Sequence, residues 1–240
     1  MTVKHHPSEA LLLAYAAGHV GEGVSLLVAT HLTYCPACRA AVAEAEAVGG
    51  ALLEEALPVS MNEGALAAVL DRLESGNDGI LPARTAPTAH TPHAHTPARP
   101  STPPRGGHAH QATLDLPAPL RSYVGDLSGV RWQWMAPGIR QVDVTQRPRG
   151  RDTAKILRIA PGRVLPRHGH MGLELTLVLH GSFTDEQGRF TAGDLAELDQ
   201  DADHQPIADS GEECICLIGT DAPLRFSGFV PRMIAPMLGF

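Results

Sequence analysis

The run His31-Leu32-Thr33-Tyr34-Cys35-Pro36-Ala37-Cys38 puts a histidine four residues before a cysteine, with a second cysteine three residues later. Positions three and four apart share a helix face, so the three side chains can converge on one Zn²⁺. Pro36 cannot continue a helix uninterrupted, because it lacks an N–H and its ring collides with the preceding turn. The run therefore reads as a helix with His31 in its last turn, a break at Cys35, and a new helix opening at Pro36. Cys38 then lies beside that helix's N-terminus, whose partial positive charge favours a thiolate. A closed structural zinc site needs a fourth ligand, and His5 and His6 stand upstream. The competing readings are two buried cysteines with a capping histidine and no metal, or a Cys35–Cys38 disulfide, which suits an oxidising compartment.

A second constellation follows far downstream: Gly162-x5-His168-x-His170-x3-Glu174-x6-Gly181, then Gly193 and His204. Alternation along a strand sends residues an even number apart to one face, so His168, His170 and Glu174 can point inward together. His204, from a neighbouring strand, is the natural fourth ligand. These donors suit Zn, Mn, Fe or Ni, and residue types alone do not choose among them. Cys214 and Cys216 also fall on one strand face. They are either a small core pair or a possible redox pair, and the second role requires exposed thiols of low pKa.

The first site needs helices to position it. Ser8 to Gly18 has a capping serine, an apolar stripe of Leu11, Leu12 and Tyr15, and a terminal glycine. Val24, Leu27, Val28 and His31 recur at helical spacing, which puts His31 on the core-facing stripe. A third helix is expected from Pro36 to about Glu55. A fourth is expected from the capping box Ser60-x-x-Glu63, through Leu66, Val69, Leu70 and Leu73. Four short helices make a thin core, to which a structural metal would add stability.

Residues 77–116 are rich in Pro, Thr, Ala and His, with little to bury, and read as a flexible linker. A flexible chain of that length has a reach of roughly 30–40 Å. Its histidines (His90, His93, His95, His108, His110) form a tract able to bind metal loosely, or a plain spacer. From 117 the pattern changes to short β-like runs between turn residues: Val142 to Val144, Lys155 to Ile159, Glu174 to Leu179, Leu195 to Leu198 and Cys214 to Ile218. Such spacing predicts a small antiparallel barrel or sandwich. The expected division is thus a helical domain over 1–76, a linker over 77–116 and a β domain over 117–240.

The 240 residues carry a formal charge of -7. Within 1–76 only Lys4, Arg39 and Arg72 are basic, against nine acidic residues. An acidic helical domain is a poor nucleic-acid binder and a better partner for a basic protein surface. With only two cysteines and no basic helix stripe, a DNA-reading zinc finger is disfavoured. No charged-then-apolar leader opens the chain, and no apolar run approaches the roughly 18–20 residues that span a bilayer. The expectation is a cytoplasmic protein, where close cysteine pairs point to ligands or redox chemistry before a disulfide framework.

Gly162 to Gly181 resembles the first cupin motif at every defining position. The second is partial: Gly193 and His204 are present, but Asp199 and Asp201 replace the Pro-x-Gly turn, and Ala208 replaces an Asn. The first half resembles the zinc-binding anti-sigma domain, with its upstream His followed by H-x3-C-x2-C. Together they resemble the anti-sigma factors of the ChrR type, a likeness that extends to His5-His6, to Leu12-x-Ala14-Tyr15-Ala16-Ala17-Gly18 and to Cys214-x-Cys216.

The resemblance implies a multidomain α plus β protein, with a small all-α zinc-binding domain before an antiparallel cupin barrel. It implies zinc held by His6, His31, Cys35 and Cys38, and a cupin metal, Zn²⁺ or another divalent transition metal, held by His168, His170, Glu174 and His204. His6 is chosen over His5 on the family alone. It further implies a one-to-one complex with an extracytoplasmic-function-type sigma factor, and release when the cupin perceives singlet oxygen or an organic peroxide. The alternative is a metal-dependent, dioxygenase-like cupin enzyme with an accessory zinc domain. Against this, the sequence nominates no separate acid or base residue, and no enzymatic activity is expected.

Overall fold

The computed structural model describes residues 2–75, 114–145, 152–222 and 224–225. The linker expectation lies outside the described residues except for 114–116. Residues 1–54 with 112–240 form one compact unit, and residues 55–111 a second.

In the first unit, helix α1 (Glu9–Ala16) is capped by Ser8, whose Oγ accepts from the Leu11 N–H at 3.2 Å. Helix α2 (Glu22–Tyr34) ends at Cys35, and α3 (Pro36–Glu54) begins at once. Cys35 is extended (φ -112, ψ 102), because a following proline excludes the helical region for the residue before it. The break thus falls where Pro36 requires it.

Helix α4 (Ala65–Glu74) belongs to the second unit. The capping box expected at Ser60 does not form. The chain instead turns at 62–64, where the Ala65 N–H donates to the Asn62 carbonyl at 3.0 Å. Gly64 takes φ +84, a conformation few other residues tolerate, and α4 starts after it without a side-chain cap. The expectation of strand-like chain from 117 also gives way locally. Pro117 opens a short helix α5 (Ala118–Val124), whose Leu120 is fully buried as α5 packs on α2.

Twelve strands follow among the described residues: β1 (Gln133–Ala136), β2 (Ile139–Asp143), β3 (Thr153–Ile159), β4 (His168–His170), β5 (Glu174–His180), β6 (Ser182–Asp185), β7 (Gly188–Thr191), β8 (Leu195–Leu198), β9 (Asp203–His204), β10 (Ile207–Ala208), β11 (Cys214–Thr220) and β12 (Leu224–Arg225). The main sheet runs β1-β2-β3-β11-β5-β8, and two smaller sheets run β10-β6-β7 and β12-β4-β9. Every pairing is antiparallel.

Strand β11 is central and buried on both faces, which is why it reads as an unbroken apolar run. Cys214, Cys216 and Ile218 join Leu157, Val178, Phe183 and Phe190 in one core. Ile215 and Leu217 face the other way, into a core shared with Leu27 and Val28 of α2. Gly219 permits this close approach, since a Cβ there would meet Leu27 Cδ1 at 2.6 Å. Burying a side chain such as Leu27 contributes about 1.5–3 kcal/mol, so α2 is held to the sheet by packing. Among the described residues, no helix is long and apolar enough to cross a membrane.

Candidate functional site

Two clusters of potential metal donors stand out among the described residues. His6, His31, Cys35 and Cys38 bring their donor atoms within 4.8 Å of one another, as do His168, His170, Glu174 and His204.

In the first cluster His31 Nε2 lies 3.4 Å from Cys38 Sγ, and His6 Nδ1 lies 3.3 Å from Cys35 Sγ and 3.5 Å from Cys38 Sγ. His31 and both cysteines are buried, and His6 closes the cluster from the exposed side. The other nitrogen of His31, Nδ1, donates to the Gly193 carbonyl at 3.0 Å, which leaves Nε2 as a lone-pair donor toward the cysteines. Burial pushes the His31 imidazole down to about 4, so it is neutral at ordinary pH. Burial, with the adjacent Cys35 sulfur, pushes the Cys38 thiol up to about 12. Both cysteines are free. Without a cation the Cys38 thiol stays protonated, and a coordinated metal reverses that preference by stabilising the thiolate. Two imidazoles and two sulfurs make a closed tetrahedral donor set, fit for metal binding.

The structure also separates two histidines that spacing could not. Successive side chains of the extended arm point to opposite sides, so His6 joins the cysteines. His5 turns away, its ring 4.3 Å from that of Phe190 and its Nδ1 3.7 Å from Asp194.

The second cluster is assembled from β4, β5 and β9. His168 pairs with His204 in register, and the next turn of chain brings in Glu174 at the start of β5. His204 Nε2 is 3.1 Å from His168 Nε2 and 3.7 Å from Glu174 Oε1, while His170 Nε2 is 3.4 Å from Glu174 Oε2. Burial alone would raise the Glu174 carboxyl, but the neighbouring His168 and His170 rings override it and hold it down to about 2. His168 Nδ1 donates to the Pro166 carbonyl at 2.8 Å, and His204 Nδ1 donates to Asp185 Oδ2 at 2.9 Å. Both rings therefore turn an Nε2 lone pair toward the same point. Two lone pairs facing each other beside a carboxylate are relieved by a shared proton or a cation, and the donor set fits a transition metal.

Asp185 was invisible in the sequence pattern, because it reaches the site from the β6–β7 hairpin. Fully buried, it fixes the tautomer and tilt of His204. Asp185→Asn is expected to weaken metal binding at this cluster about 10–100-fold, read by chelator competition on the full chain. The departures from the second cupin motif are compensated locally. Asp199 closes the turn before His204 by accepting the Asp201 N–H at 3.0 Å. Ala208 is buried, and its neighbour Asp209 takes up the polar work, accepting from Ser182, Thr184 and Arg189.

Cys214 and Cys216 join neither cluster. Their sulfurs lie 3.3 Å apart inside the barrel, both buried, and the hydrogen bond to Cys214, together with burial, pushes the Cys216 thiol well up. They are packed side by side in the core, not exposed.

A helical His2Cys2 donor set joined to an antiparallel barrel with a His3Glu donor set makes a two-site α plus β architecture. Residues 121–223 match the ChrR cupin-like domain family. Over 238 residues, 98% of each chain, the sequence is 45% identical to the anti-sigma-E factor ChrR of Cereibacter sphaeroides. A crystal structure of Rhodobacter sphaeroides SigE in complex with the anti-sigma ChrR contains a chain that is 42% identical, with a TM-score of 0.68, covering 92% of this chain and all of that one. The chain belongs to the ChrR family of anti-sigma factors, which are regulators and not enzymes.

Proposed function

We propose that this protein is a cytoplasmic anti-sigma factor that sequesters an extracytoplasmic-function-type sigma factor in a one-to-one complex and releases it under oxidative stress. The observation that carries this reading is the 45% identity, over nearly the whole of both chains, to an anti-sigma factor. The functional division follows the sequence boundaries: 1–76 binds the sigma factor, 77–116 tethers, and 117–240 senses. Zn²⁺ fills the His6, His31, Cys35 and Cys38 set, where it locks the α2–α3 break. The cupin set holds Zn²⁺ or another divalent transition metal.

The surface of the helical segment is consistent with a protein partner. Val48, Leu52 and Leu53 on α3, Leu57, and Leu66 and Leu73 on α4 are all exposed, an unusual density of large apolar side chains. Their acidic surroundings suit the basic surface of a DNA-binding partner.

Sensing of singlet oxygen or an organic peroxide is assigned to the cupin domain, through its metal or through Cys214 and Cys216. The test is to mix the purified full chain with each sigma factor of its source organism and resolve the products by size-exclusion chromatography. A stable one-to-one complex with one of them is expected, and it should dissociate on oxidant exposure. Failure to bind any of them would sink the reading. Release that persists unchanged in a Cys214→Ala, Cys216→Ala double variant would remove the cysteine pair from the sensing step and leave the metal.

A further inference from the structure

Cys35 and Cys38 are placed by the α2–α3 break, but the two histidines of the first site are not placed by the helices alone. His6 lies on an arm, residues 2–8, with no helix or strand of its own. The barrel pins that arm on both sides of His6. Lys4 N–H and His5 N–H donate to Asp194 Oδ1 at 2.6 and 3.0 Å. Leu195 N–H donates back to the His5 carbonyl at 3.1 Å. Beyond His6, the backbone N–H and the hydroxyl of Ser8 donate to the Glu197 carboxylate at 2.6 and 2.8 Å.

His31 is held from the same turn, through its Nδ1–H to the Gly193 carbonyl at 3.0 Å. Gly193 sits at φ +90, and a Cβ there would meet Val3 Cγ2 at 3.1 Å and Tyr34 Cβ at 3.2 Å. The turn is thus pressed against both the arm and the end of α2. Asp194 is itself fully buried and stiffens the turn by accepting from the N–H and hydroxyl of Thr191 at 2.9 and 2.8 Å.

We propose that the β7–β8 turn and strand β8, through Gly193, Asp194 and Glu197, position His6 and His31, so that the grip of the first site on its metal depends on the docked barrel. These are positioning residues acting through the histidines, and the proposal rests on the metal reading of that site. Strand β8 has a further neighbour: Leu198, at its other end, pairs with Glu174 of the second donor cluster. One four-residue strand therefore borders both clusters.

The test uses the full chain loaded with Zn²⁺, as wild type, Glu197→Ala and Asp194→Asn, challenged with a chelator and a thiol-alkylating reagent. Modification is followed at each cysteine by peptide mass mapping. Alkylation of Cys35 and Cys38 is expected to accelerate about tenfold or more in the variants, the usual cost of losing a group that orients a metal ligand. Cys214 and Cys216, inside the barrel, should keep their wild-type rates. Unchanged rates at Cys35 and Cys38 in both variants overturn the proposal. Equal acceleration at all four cysteines in both variants also overturns it, since the effect would then belong to barrel stability. If Zn²⁺ gives no protection to Cys35 and Cys38 even in the wild type, the metal reading itself fails and takes this proposal with it.

Discussion

Cys35→Ala with Cys38→Ala is expected to abolish sigma-factor binding and to remove the metal proposed for the first site, while the second site keeps its own. The effect is expected to be large because the donors are part of a small core. His31, Cys35 and Cys38 are buried in the same core as Leu11, Leu12, Val42 and the α2 side chains Val24, Leu26, Leu27 and Val28. Structural zinc in small domains supplies an apparent ~10–16 kcal/mol, as large as the ~5–15 kcal/mol that stabilises a typical whole protein. Removing both thiols also leaves His31 neutral and buried with its Nε2 facing no cation. The α2–α3 break then has only Pro36 and packing to define it, and the exposed apolar face of α3 loses its fixed direction. Metal analysis and complex isolation on the double variant check this. A variant that retains both the sigma complex and two metal equivalents would refute it.

Glu174→Ala is expected to have the opposite signature: loss of the metal proposed for the second site, a surviving sigma complex, and no release by oxidant. Glu174 is the only anionic donor in its cluster, buried and held ionised by His168 and His170. Without it the three imidazoles must bind a dication in a desolvated site with only Asp185, behind His204, as a counter-charge, and burying a poorly compensated charge is costly. The structural core of the barrel lies elsewhere, along β11 and β5, so folding should survive. Metal stoichiometry, sigma binding and release are measured on one preparation. If sigma binding disappears along with the metal, the two sites do not have separate roles.

Much of this architecture was legible in the chain. The break at Cys35 follows from Pro36, and the shared face of His168 and His170 follows from strand alternation, whereas Glu174 comes from the start of the next strand, β5, after an intervening turn. These are local rules, and at these two places they held. Other features depend on residues distant in sequence. Nothing near His5 and His6 says which one faces Cys35, because the choice is made by backbone hydrogen bonds donated to Asp194 and accepted from Leu195. Asp185 could not be nominated, since only the β6–β7 hairpin brings it to His204. The capping box at Ser60 was a local signal that lost to a glycine turn four residues later. The run from 117 reads as part of a β domain, but Pro117 supplies a helix start and α2 supplies the surface for Leu120.

The central claim is that this chain silences a sigma factor by binding it. Its most direct test is promoter-specific transcription in vitro, with core RNA polymerase, the bound sigma factor and increasing amounts of the full zinc-loaded chain. The account predicts that transcripts fall to background as the chain reaches equimolarity with the sigma factor, and that the Cys35→Ala, Cys38→Ala variant leaves them untouched. Undiminished transcription in the presence of excess wild-type chain would contradict it.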